Sequence, residues 1–170
     1  MDAAKKGPAR TWENLQARLA GSFTARIHGL LMPEISLSGA HGEFGRMTYL
    51  SPSGVEISAE NLNATIEHTG KFSYRMLTGG APLVAEAANG PADSLEIRAG
   101  GLTCRAAFSF LKNHAMATTP EGKDVAWLMG GFTGRSYTAG YDPETQNALL
   151  ISMLLLYHIA ASRGRAFQMG

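Results

Sequence analysis

The sequence predicts a mainly β domain, an antiparallel β-barrel enclosing a hydrophobic C-terminal helix. Three observations predict it. Between residues 22 and 141 apolar side chains recur with a period of two, in about ten short runs. Clusters of Gly, Pro, Ser and Asn separate those runs at intervals of about ten residues. After Asp142 the alternation stops, and residues 145–162 carry no formal charge.

Residues 1–10 read as a disordered leader. Thr11 is placed to cap a short helix running to about Ala20, with Trp12, Leu15 and Leu19 on one side and Gly21 as its end. The expectation is that this helix lies against the outside of the barrel. The clearest strands are 61–68 and 71–77. Leu62, Ala64 and Ile66 share one face of the first, and Phe72, Tyr74 and Met76 share one face of the second. Thr69-Gly70 is read as the turn of a hairpin between them. Further strands fit 22–28, 44–50, 54–58, 83–87, 95–99, 102–110, 125–129 and 135–141. Ser51-Pro52-Ser53-Gly54, Gly79-Gly80, Asn89-Gly90-Pro91, Gly100-Gly101 and Pro120-Glu121-Gly122 punctuate them.

Asp142-Pro143-Glu144 reads as a helix start, with a capping side chain, proline at the first helical position and an acid in the first turn. The helix is expected over 144–162. At 100° per residue Leu149, Leu150, Ile151, Leu154, Leu155, Leu156 and Ile159, joined by Met153, cover nearly its whole circumference. Such a helix must be surrounded by protein or by lipid. Its length meets the threshold for a membrane span. Gln146, Asn147, Ser152 and His158 oppose that reading, as does a tail bearing Arg163 and Arg165 without an acid. A core helix enclosed by strands is the expectation.

Length and composition fit this plan. The 170 residues suit one domain, residues 11–170, and 45% hydrophobic residues suffice for a core. A net charge of +1 gives no electrostatic reason to expect nucleic acid as a partner. The single Cys104 cannot form an internal disulfide, and no charged-then-apolar signal segment opens the chain. The cytoplasm is the expected compartment.

Short antiparallel strands followed by one wholly apolar helix form an unusual order. Leu95-Glu96-Ile97 and 102–110 read as barrel strands, then 115–118, the turn Pro120-Glu121-Gly122, and 124–129. Tyr137-Thr138-Ala139-Gly140-Tyr141-Asp142 leads straight into an apolar helix over 148–161. In this the chain resembles the tubby C-terminal-like superfamily, which includes tubby proteins, phospholipid scramblases and LURP-one-related proteins. The resemblance implies a β-barrel wrapped around a central hydrophobic helix. It transfers function poorly. The basic positions through which tubby proteins bind phosphoinositides have no match here, and the palmitoylated cysteine cluster of scramblases is reduced to Cys104.

No catalytic or metal constellation stands out, and no cofactor is expected. Gly130-Gly131-Phe132-Thr133-Gly134-Arg135-Ser136 is one residue short of a phosphate loop, has Arg where Lys is needed, and leads into a strand. His28, His41, His68, His114 and His158 show no pair at ligand spacing. His158 reads as a hydrogen-bonded core histidine, and Cys104 as a buried inert thiol. Arg75, Arg98 and Arg105 are expected in solvent. Arg163 and Arg165 suit the negative end of the helix, and are the candidate contacts to lipid head groups. Three functions stay open. One is a non-enzymatic binding or scaffold protein that recognises anionic lipid or a protein partner. The second is a small enzyme or ligand carrier using a barrel pocket. The third is a domain tethered to a membrane by its C-terminal helix.

Overall fold

The structure, a computed structural model, describes residues 11–29, 34–50, 54–79, 83–109, 111–131 and 135–169. The expected leader, 1–10, lies outside the described residues. A helix α1 (Trp12–Leu19) precedes twelve strands. These are β1 (Ser22–His28), β2 (Glu34–Gly39), β3 (Gly42–Leu50), β4 (Gly54–Ala59), β5 (Leu62–Gly70) and β6 (Ser73–Thr78), then β7 (Leu83–Asn89), β8 (Leu95–Ala99), β9 (Leu102–Ser109), β10 (His114–Thr118), β11 (Asp124–Gly130) and β12 (Ser136–Tyr141). Helix α2 (Ala148–Met169) follows.

Every strand pairs antiparallel with its neighbours in sequence, and β1 closes the ring on β12, with Phe23 opposite Ala139. Closure leaves no sheet edge among the described strands, so no row of ladder groups is open to a foreign strand. The sequence pattern gave ten strands directly and 115–118 through the resemblance. It left out β2, although Ile35 and Leu37 alternate with Glu34, Ser36 and Ser38 and are both fully buried. The hairpin of β5 and β6 forms, but its turn is Lys71-Phe72 rather than Thr69-Gly70. An irregularity between His68 and Gly70 lets Gly70 face Ser73 and shifts the turn two residues on.

Side chains pointing into the barrel are fully buried, and many are alanines: Ala59, Ala64, Ala85, Ala99, Ala106, Ala117 and Ala139. Small residues on the wall and large ones on the helix fit together, because a helix with its side chains needs a bore of about 10–12 Å. Ala148 to Ala160 of α2 are buried on every face, and Leu149, Ile151, Leu155, Leu156 and Ile159 are wholly inaccessible. The helix therefore fills the barrel, as the apolar circumference predicts. Among the described residues no helix is long and apolar enough to cross a membrane. On the outer wall, Arg46 pairs with Glu34 and Glu43, Arg75 with Glu67, and Arg105 with Glu96.

Two expectations about the helices need correction. First, α2 begins at Ala148, not at Glu144, and runs past Ser162 to Met169. Asp142 does cap, accepting from the Glu144 amide and the Thr145 hydroxyl, but what it closes is an isolated turn. Asn147, at φ 64°, breaks that turn from the helix. Second, α1 lies not on the outer wall but against α2, at the end of the barrel where that helix enters. Thr11 caps it as expected, accepting from the Asn14 amide, and Ala20 at φ 58° ends it. The reason for its place is Gln16. Its Nε2 donates to the carbonyls of Thr145 (2.7 Å) and Pro143 (3.1 Å), while its Oε1 accepts from the Leu149 amide (2.8 Å). The Tyr141 hydroxyl donates to the Gln16 carbonyl at 2.6 Å. A buried glutamine thus satisfies the first turn of α2 from the far side of the chain.

Candidate functional site

A barrel filled by its own helix offers three places for function: the polar contacts inside, the two ends, and the outer wall. The interior polar groups gather where α2 leaves the barrel. Tyr74 Oη and His158 Nδ1 are hydrogen-bonded at 2.7 Å, and Tyr157 Oη and His68 Nε2 at 2.6 Å. The rings interlock, His68 edge to face on Tyr74 at 4.8 Å and Phe108 tilted against His158 at 4.6 Å. Tyr49 packs on Tyr157 at 5.8 Å. Burial drives the Tyr49 hydroxyl far above its ordinary ionisation range, and the neighbouring Tyr157 and Tyr137 push the same way. Tyr157 is 3% and His158 4% exposed, so His158 is the hydrogen-bonded core histidine that the sequence suggests. A substrate reaching it would have to displace the helix.

Cys104 is buried, and desolvation, with the Glu96 charge second, pushes its thiol up to about 11. A thiol so protonated is a poor nucleophile. No group of three His, Cys, Asp or Glu placed to hold a metal occurs among the described residues. The glycine-rich stretch 130–136 lies between β11 and β12, with residues 132–134 outside the described residues. Its first glycines are tied to structure: the Gly130 amide donates to the Asn113 carbonyl, and Asn113 Nδ2 to that of Gly131.

The ends differ in charge. Connections that follow β2, β4, β6, β8, β10 and β12 share the α1 end. Among the described residues this end carries Glu43, Glu60, Glu121, Asp124, Asp142 and Glu144 against Arg18 and Lys123. Arg18 pairs with Glu60, and Lys123 with Asp142. The opposite end bears exposed Lys71, Lys112 and Arg135, against Glu34, which Arg46 engages, and Asp93. Beside Lys112 stands Leu111, 97% exposed. The last turns of α2 emerge at this end and bring Arg163 and Arg165 to it; their side chains lie outside the described residues. Sequence reasoning named those two arginines but missed Lys71, Lys112 and Arg135, whose common end is visible only once strand order is known. Arg75, Arg98 and Arg105 are exposed on the outer wall, as expected.

On the outer wall a groove of about 720 Å³ crosses β2, β1, β12 and β11, lined by hydroxyl side chains, Arg26 and His28. A smaller apolar hollow of about 370 Å³ adjoins it over β9, β10 and β11. Compared with protein-family models, with curated proteins and with solved structures, the chain shows no match to any.

Proposed function

We propose that this chain is a non-enzymatic binding or scaffold protein of the tubby-like kind, which docks the basic end of its barrel on anionic lipid head groups in the cytoplasm. The observation that carries this reading is the separation of charge along the barrel axis. Acids gather at the α1 end, while Lys71, Lys112 and Arg135 share the opposite end with the arginine-bearing last turns of α2. A net charge of +1 attracts little as a whole, but a segregated charge presents one face that an anionic surface favours. Each Lys or Arg brought to such a surface contributes about 1 kcal/mol, so five positions give about 5 kcal/mol at low salt. Insertion of the Leu111 side chain adds about 1.5–3 kcal/mol. A filled barrel supports the reading from the other side, since a ligand carrier needs an interior that α2 occupies. Burial of α2 likewise argues against its use as an anchor.

Vesicle co-sedimentation tests the proposal. The chain is expected to sediment with vesicles containing phosphatidylserine or phosphoinositide, to stay free of neutral ones, and to be released by moderate salt as screening sets in. Arg163→Ala/Arg165→Ala and Lys71→Ala/Lys112→Ala should each weaken binding, and Leu111→Ser should weaken it without changing its salt dependence. Binding that is absent at low salt, or equal in all variants, overturns it.

A further inference from the structure

The arginines of the outer wall differ in what stands beside them, and Arg98, which makes no ion pair among the described residues, still has Glu86 opposite it in register. Arg46, Arg75 and Arg105 each meet a glutamate on the same or an adjacent strand. Arg26, on β1, is flanked in register by Ser36 of β2 and Ser136 of β12. None of the described residues pairs with its guanidinium, and no carboxylate lines the groove around it. Polar side chains surround it: His28 Nε2 and Ser36 Oγ are hydrogen-bonded at 3.0 Å, Ser36 Oγ also donates to the Arg26 carbonyl, and Thr24, donating to the Ser38 carbonyl, and Thr138 stand one row above. The nearest acid in register, Glu34 opposite His28, is engaged by Arg46. A guanidinium bordered by hydroxyls is suited to a carboxylate, which its planar fork engages in two parallel hydrogen bonds.

The groove does not end at the polar groups. Met129 forms its far border and also lines the apolar hollow beyond, together with Met116, Trp127 and Ala107. Met129 is 56% and Met116 40% exposed on adjacent strands, whereas the other open large apolar side chain on a described strand, Leu83 of β7, stands apart from them. The Trp127 ring covers Gly140: a Cβ on that glycine would collide with the indole nitrogen. Ala107, Met116, Trp127 and Gly140 form one row across four strands. In register Met129 lies two strand spacings across and two residues along from Arg26, about 12 Å, and Met116 three spacings across and four residues along, about 20 Å, so a medium-length chain reaches Met129 and points towards the others. We propose that this wall binds an amphipathic carboxylate of medium chain length, its head on Arg26 between Ser36 and Ser136 and its apolar body along Met129 towards Met116 and Trp127. The site lies on the flank of the barrel and is independent of docking by the basic end.

Trp12 and Trp127 are the two tryptophans of the chain, so Trp12→Phe leaves Trp127 as the sole indole reporter. In that background the indole emission should shift on titration with sodium decanoate below its micelle concentration, and calorimetry on the unaltered chain should give the same Kd. Arg26→Gln should weaken decanoate at least about tenfold, the loss expected for one charge-assisted contact, with an unchanged melting temperature because the side chain is exposed. Decan-1-ol should bind at least about tenfold more weakly than decanoate, and Met129→Thr should weaken decanoate while leaving acetate as weak as before. Equal binding of decanol and decanoate, indifference to Arg26→Gln, or displacement of decanoate by inorganic phosphate at equal concentration would each overturn the proposal.

Discussion

Gln16 is the side chain whose removal should be felt most for its size. Gln16→Ala deletes three hydrogen bonds at once, to the carbonyls of Pro143 and Thr145 and from the amide of Leu149. Each is worth about 0.5–1.5 kcal/mol net, so the sum spans about 1.5–4.5 kcal/mol. Gln16 is 8% exposed, so some water reaches the vacated groups, while the bond to Pro143 is long and only part-buried. Both facts pull the expected loss to about 3 kcal/mol. With a urea slope of about 2 kcal/mol/M, the unfolding midpoint should fall by about 1.5 M. Gln16→Glu separates the two halves of the contact. Its carboxylate can still accept from Leu149 but cannot donate to the two carbonyls, so it should be at least as destabilising as alanine. The measurement is urea unfolding followed by far-ultraviolet circular dichroism and by tryptophan emission, with coincident transitions. A Gln16→Ala midpoint within about 0.3 M of the parent would refute the reasoning and show that α1 is an ornament on the barrel end.

Three further outcomes follow from packing and charge. Leu155 is fully buried in α2, so Leu155→Ala should cost about 2–5 kcal/mol in thermal or urea unfolding, and Leu155→Asp should prevent folding. Asp142 is held down to about 2 by the Thr145 hydroxyl, then by Lys123 and the Glu144 amide, whereas an unfolded aspartate titrates near 3.9. A lowered folded value means the stabilisation is present above about pH 4 and is lost as pH falls towards 2; Asp142→Asn should flatten the acid limb of stability in that window. Cys104 should react with iodoacetamide at pH 8 far more slowly in the folded chain than in urea, and equal rates would contradict its burial.

What could be read in the sequence was whatever a period reveals. The apolar circumference of α2 and the alternation in β5 and β6 are local patterns, and the fold kept both. The start of α2 was misplaced because Asp142-Pro143-Glu144 has the chemistry of a cap, and nothing local betrays that Asn147 turns to positive φ. Its true partner, Gln16, is more than a hundred residues away and is a residue type with no standing as a cap. The strand β2 is short and follows a proline, which hid the alternation of Ile35 and Leu37. Of the candidate sites, Arg163 and Arg165 were visible as a pair on one helix. Lys71, Lys112 and Arg135 sit on three separate turns, and Arg26 is marked only by what its neighbouring strands place beside it. Such sites are made by register, and register is not written in any one segment.

The order of elements also constrains how the chain is made. All twelve described strands precede α2, and the inner face of the wall they form, rich in alanine, is buried around that helix. A nascent chain therefore exposes hairpins, each able to form locally, long before the side chains that fill them leave the ribosome. The β1–β12 seam joins the ends of the strand series and pays the largest loop-closure entropy of any pairing. Wall closure and helix capture should then be a single late event, once α2 has left the ribosome, with half-open sheets as the species most exposed to chaperones and to aggregation.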